Sequence, residues 1–262
     1  MIKKIISFVI ATMFVTPILS RDDTTIRIVT EDFPPFQTLY DGQITGPMYT
    51  IMQNICKEAK IECEIELLAW KDAYKQALEG NADVVFSILL EVPEREKFFY
   101  LSNSIVNTSY SFFVTSKNDW RYTGYKSLDN MVIGAYGPSG TSITAQELVK
   151  NREIAGHNAT PLIIEPSIVE SFQQLIIGKY GYNGAVVVNK DVGLALLKKH
   201  AIIGPKPAGD INNITYGFGF SKKSPKTEYY KKMLDALVRL QARGEIEKIL
   251  QTYGLKSSLK DK

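Results

Sequence analysis

Apolar and polar positions alternate in two rhythms along this chain. Short apolar runs such as IRIVT, CEIELLAW and ADVVFSI read as strands, the last of them buried. Between them, GPMYTIMQNICKEA and KDAYKQALEG carry apolar residues at helical spacing, and Gly80 closes the second helix. TEDFPPFQ is a loop, because Pro34 and Pro35 forbid regular structure. This β-α-β-α-β order predicts a largely parallel sheet with covered faces. After a strand at residues 109–116, SYSFFVTS, and a polar stretch, the pattern restarts. MVIGAY, PLIIEP and GAVVVN read as strands, and GTSITAQELVKN, SIVESFQQLIIG and KDVGLALLKK as helices. ITYGFGF is one more strand, and two helical patterns, YYKKMLDALVRLQARG and EIEKILQTYG, end the chain.

The repeat predicts two open α/β lobes. The chain crosses between them near 109–116 and again near 213–220, and the last helices return to the first lobe. A tandem with a single crossing is the structural alternative. The expected division is residues 21–112 with 214–262 for one lobe and 113–213 for the other. Two open α/β lobes place strand C-termini and helix N-termini around one crevice, where ligands bind.

Residues 1–20, MIKKIISFVIATMFVTPILS, change the setting. Lys3 and Lys4 precede a short apolar run, which reads as a secretory signal cleaved after Ser20, with an uncleaved anchor as the alternative. The formal charge of +3 falls to +1 without this leader, so there is no electrostatic footprint for nucleic acid. Export to a periplasmic, oxidising compartment predicts a disulfide between Cys56 and Cys63 in NICKEAKIEC, tying a helix end to the next strand. Metal binding is a poor alternative, because two thiols and the distant His157 and His200 make no ligand set. No cofactor is expected.

Several candidate residues fall around the crevice. The loop 31–36 follows the first strand, with Glu31 and Phe36; Trp70 ends the second; Ser87 to Arg95 follow the third. Residues 137–142 lie between the first strand and first helix of the second lobe, and Asn189 ends that lobe's third strand. The stretch EVPEREKFFY sets Arg95 between Glu94 and Glu96. Pro93 and the acids suit a helix start in solvent; alternatively, Arg95 awaits an anion that is not part of the chain.

From IRIVTEDFPPF through ARGEIEKILQTYG, the chain resembles the periplasmic solute-binding proteins of polar amino-acid uptake systems, extracellular solute-binding family 3. GNADVVFSILLEVPERE is similar to the family's third strand and arginine turn, and ALVRLQARGEIEKILQTYG to its last two helices. The resemblance implies a two-lobed periplasmic-binding-protein-like fold (type II), and it implies roles. Arg95 would grip a ligand carboxylate in a fork of parallel hydrogen bonds. Gly140 and Thr141 would meet the same carboxylate from a helix N-terminus, although SGTS also suits a simple N-cap. Ser87 would bond the ligand, and Trp70 would pack on it or belong to the core. Glu31 would meet a cationic group, and Phe36 would form the cleft wall or only part of a rigid loop. Two positions depart from the pattern. Leu90 stands where many members have Ser or Thr, and Asn189 stands where many have Asp facing the α-ammonium. Either another acid such as Glu31 supplies that charge, or the ligand is not a standard α-amino acid.

The implied function is an exported, monomeric binding protein that captures a small carboxylate-bearing ligand for an inner-membrane ABC permease. One alternative is an enzyme on the same scaffold, similar to dehydratases of cyclic acids, with Glu31, Glu91 and Glu94 as the nearby acids. Another is a sensor that reports its ligand to a membrane receptor. The chain ends soon after its last helix, which predicts no fused domain there.

Overall fold

A computed structural model describes residues 24–257. The expected leader and its cleavage after Ser20 lie outside the described residues.

The chain begins with β1 (Ile26–Thr30), a short hairpin of β2 (Thr38–Tyr40) and β3 (Gln43–Thr45), and α1 (Pro47–Ala59). It continues through β4 (Cys63–Leu67), α2 (Trp70–Glu79), β5 (Val84–Leu89), a 3-10 turn at Pro93–Lys97 and β6 (Phe99–Leu101). Then come β7 (Val106–Val114), β8 (Ile133–Tyr136), α3 (Gly140–Ile154), β9 (Leu162–Glu165), α4 (Ile168–Ile176), β10 (Ala185–Asn189) and α5 (Lys190–Lys199). The long β11 (Lys206–Ser221), α6 (Glu228–Ala242), α7 (Glu245–Thr252) and β12 (Lys256–Ser257) complete it.

One sheet runs through the molecule in the order β4-β1-β5-β11-β7-β10-β8-β9. At one end β4, β1 and β5 are parallel; at the other, β10, β8 and β9 are parallel. The two ends are joined by β11 and β7, antiparallel to each other and to the strands they flank. These are the two crossing strands, and α/β halves lie on either side of them. Every residue of β5 and β10 is buried, as expected of strands covered on both faces.

Three local features brace the first half. In α1 the buried positions Met48, Ile51, Met52 and Ile55 recur at helical spacing. That helix packs on α6 and α7, the returning C-terminal helices. Across this contact Glu58 accepts from Arg239 Nε at 2.7 Å and Arg243 Nη2 at 2.9 Å. Hydrogen bonds first from Arg243 and then from Arg239 hold its carboxyl down at about 2. The disulfide forms between Cys56 and Cys63, tying the end of α1 to the start of β4.

The structure corrects two boundaries. Trp70 does not end a strand; β4 stops at Leu67 and Trp70 is the first residue of α2. The second crossing strand starts at Lys206 rather than near 213, and its ladder with β7 shifts register twice, between Pro207 and Asn212. Among the described residues, no helix is long and apolar enough to cross a membrane.

Candidate functional site

The strand ends of both halves meet at one small cavity of about 20 Å³, room for roughly one water. Its wall contains Glu31, Trp70, Ser87 and Arg95 from the first half and Thr141 from the second. Five of the seven residues singled out from the sequence are therefore brought together. Larger cavities exist elsewhere, about 620 Å³ behind the crossing strands and about 330 Å³ beside α3, but neither wall carries a buried charge without a counter-ion.

Arg95 is the centre of the site. The 3-10 turn, begun by Pro93, leaves Glu94 and Glu96 exposed and turns Arg95 inward, where it is only 4% exposed. Its Nη1 donates to the carbonyl of Leu89, and its guanidinium carbon sits 6.0 Å from the Trp70 ring centroid and 5.6 Å from that of Tyr74. Among the described residues no carboxylate pairs with it. Burial lowers its pKa, and the nearby Tyr74, Tyr110 and Tyr216 oppose that shift. A buried cation without a counter-ion is costly and invites an anion.

Glu31 places a carboxyl in the same wall. Desolvation first, and the neighbouring negative charge of Asp32 second, push its carboxyl up to about 8. Among the described residues no cation is paired with it. Its backbone carbonyl is held by Gln37, whose Nε2 donates to it at 3.1 Å and to Thr30 Oγ1 at 2.9 Å. Gln37 also accepts from Ser87 Oγ at 2.7 Å. The Ser87 hydroxyl is thus already committed as a donor. Ser87 itself has φ of 56°, in the left-handed region, where the ladder of β5 with β11 slips by one residue between Gly217 and Phe218. That bulge re-aims the end of β5 toward the cavity, a place where backbone strain of this kind is tolerated for function.

From the second half, α3 presents its N-terminus. Ser139 caps it: Thr141 N donates to Ser139 Oγ at 3.1 Å, and Ser139 N to Ser142 Oγ at 3.1 Å. The simple capping role of SGTS therefore holds and uses the Thr141 backbone N–H, so the hydroxyl of Thr141 is what reaches the cavity and Tyr110. Gly140 makes the close approach possible. A Cβ there would stand 2.7 Å from Tyr110 Oη and 3.1 Å from Leu89 Cδ2.

Phe36 and Asn189 are placed differently from expectation. Neither lines the cavity. Phe36 is fully buried behind it, its ring 5.5 Å from Phe33 and 5.6 Å from Tyr216. Asn189, 1% exposed, caps α5: its Oδ1 accepts from Val192 N at 3.1 Å, and its Nδ2 donates to Tyr216 Oη at 3.3 Å. Tyr216 stands between Asn189 and the cavity, and its hydroxyl lies 3.4 Å from that of Tyr110. Sequence reasoning missed Tyr110, Tyr136 and Tyr216, which supply half of the hydroxyls in the wall. In SYSFF and ITYGFGF the tyrosines look like core aromatics, and periodicity does not say which of them faces the crevice.

Two α/β halves hinged on a shared antiparallel pair, around one crevice with an unpaired cation, define the class: a two-lobed solute-binding protein. The chain belongs to the bacterial extracellular solute-binding proteins, family 3, whose family model matches residues 26–256. A search among curated proteins gave no match. Among solved structures, a histidine kinase sensor domain with similarity to periplasmic binding proteins has a TM-score of 0.75 at 17% identity, covering 89% of this chain and 97% of that one. The arginine-, lysine-, histidine-binding protein ArtJ from Geobacillus stearothermophilus has a TM-score of 0.73 at 17% identity, covering 90% and 97%. The ancestral amino acid-binding protein AncCDT-1, a precursor of cyclohexadienyl dehydratase, has a TM-score of 0.69 at 18% identity, covering 87% and 94%. At these identities the likeness is one of fold.

Proposed function

We propose that this chain is an exported binding protein that captures an amino acid or a related carboxylate with a cationic group. It would work as a monomer and present its closed form to an inner-membrane ABC permease. The observation that carries the reading is the buried Arg95 guanidinium, in the cavity wall and without a carboxylate partner among the described residues. The lobes take the division suggested by the sequence, residues 21–112 with 214–262 and residues 113–213. A cavity with room for about one water admits no such ligand, so binding starts from an opened cleft. The ligand carboxylate takes the Arg95 fork. Closure brings the Thr141 hydroxyl onto it, and Glu31 meets the cationic group in place of an acid at 189. Micromolar affinity needs only about −8 kcal/mol, and hydrogen bonds to charged groups contribute about 1.5–3 kcal/mol each. ArtJ, named for binding arginine, lysine and histidine, and AncCDT-1, named as an amino acid-binding protein, support the ligand class.

The test is thermal unfolding with a panel of basic, polar and acidic amino acids, their deaminated analogues, and sugars. A shift with an amino acid that disappears in Arg95→Met supports the reading. A shift only with sugars, or one indifferent to Arg95, would refute it.

A second reading rests on Glu31 as a protonated carboxyl beside the anion site, the arrangement a general acid needs. On that reading the protein dehydrates a cyclic hydroxy acid. Turnover by the purified protein that is lost in Glu31→Gln, with binding kept, would favour it over capture alone.

A further inference from the structure

One ion pair crosses the cleft outside the ligand cavity. Lys199 is the last residue of α5, a helix that packs on β7, β10 and α4 in the second half. Its Nζ lies 2.7 Å from Asp32 Oδ2 and 3.2 Å from Thr38 Oγ1. Asp32 follows β1 and Thr38 opens β2, both in the first half. The contact therefore spans the rim of the closed cleft, one residue beyond Glu31. Opening about the crossing strands separates its two sides, so this pair belongs to the shut state alone.

We propose that Lys199 is a latch, a positioning residue whose bonds to Asp32 and Thr38 hold the cleft shut from within the chain. Its placement suits a reversible clamp. Lys199 and Asp32 are 38% and 42% exposed, so water and salt weaken the pair. A strong latch would seal a cavity too small for its ligand. A weak one biases the halves toward closure and slows release of what they hold. Pairing with Lys199 also occupies Asp32, while Glu31 is the acid in the cavity wall. Exposed pairs of this kind change an equilibrium by roughly two- to fivefold.

The test measures closure without any ligand. Nitroxides on cysteines introduced at the exposed Lys75 of the first half and Ile177 of the second report the distance between halves in the full chain. Lys199→Gln and Asp32→Asn should each raise the open-to-closed ratio roughly two- to fivefold. Added 0.5 M NaCl should do the same to the unmodified chain and nothing further to either variant. The exchanged pair, Asp32→Lys with Lys199→Asp, should restore closure, which a loss of general stability would not do. Unchanged distances in the single variants, or an opening that the exchanged pair does not reverse, overturn the latch. The latch rests on the reading of the cleft as a ligand clamp, but this measurement needs no ligand. A failed ligand panel and a failed latch are therefore distinguishable.

Discussion

Replacing Arg95 by methionine separates binding from stability. In the free protein the guanidinium is buried, paired with no acid among the described residues, and held by one carbonyl and two aromatic rings. Cation–π contacts of this kind contribute about 0.5–2 kcal/mol, while the desolvation of the charge acts against folding. Met fills much the same volume without a charge, so the free protein should melt within a few degrees of the parent. Binding is different. Removing one partner of a buried charge pair costs about 3–5 kcal/mol, which raises Kd by a factor of about 150 or more. With ligand at about 1,000 times the parental Kd, mass action stabilises the parent by about 4 kcal/mol. At about 2–4 °C per kcal/mol for a chain of this size, that is a rise of about 8–16 °C. In the variant the same ligand concentration gives only about 1 kcal/mol, or about 2–4 °C. Scanning calorimetry with and without ligand reads both quantities at once. A variant that keeps the full ligand shift would refute the assignment, and one that unfolds without ligand would show Arg95 to be a structural residue.

Other outcomes follow from the same geometry. The raised pKa of Glu31 means that the folded protein holds a proton which the unfolded chain releases near 4.5. Its contribution to stability is therefore fully present below about 4.5 and lost as pH rises toward about 8. Glu31→Gln should flatten that part of the melting profile. A ligand that places a cation on Glu31 favours the ionised form, so its affinity should rise with pH up to about 8, as titration calorimetry in two buffers would show. Gly140→Ala sets a methyl against Tyr110 and Leu89 when the halves close; an overpacking cost of about 1–3 kcal/mol should weaken binding roughly five- to 150-fold while an open form still folds. Reducing the Cys56–Cys63 bridge frees a short loop, with seven residues of sequence separation. It should cost about 2–3 kcal/mol, or about 4–12 °C in melting temperature.

Much of this architecture was legible because its strands are short and covered. IRIVT, ADVVFSI and GAVVVN became β1, β5 and β10, and the helices between them kept their apolar spacing. The first part of β11 was not legible, since Pro207, Gly209 and polar residues in KPAGDINN carry no strand rhythm. There the partner strand β7, rather than the segment's own pattern, sets the extended form through a ladder with two slips. Cavity residues that follow strand ends, such as Glu31 and Arg95, could be found from connectivity and family likeness. Tyr110 and Tyr216 could not, because they lie inside the crossing strands, where an aromatic residue reads as core. The Asn189 cap had a signal in plain view: an asparagine directly before KDVGLALLKK is a preferred helix start. Its expected role as a ligand contact gave way to that local duty.

The long strand β11 has a consequence for how the protein comes apart. It pairs with β5 on one side and β7 on the other, and β12 returns from the C-terminus to pair with β7 as well. Neither half closes its inner edge by itself: β5 and β10 take backbone partners from the strands shared by both halves. Melting one half alone would strand unpaired amides on the survivor. The chain should therefore unfold in a single cooperative transition despite its two-part shape, which is what makes one melting temperature a faithful gauge of an occupied cleft.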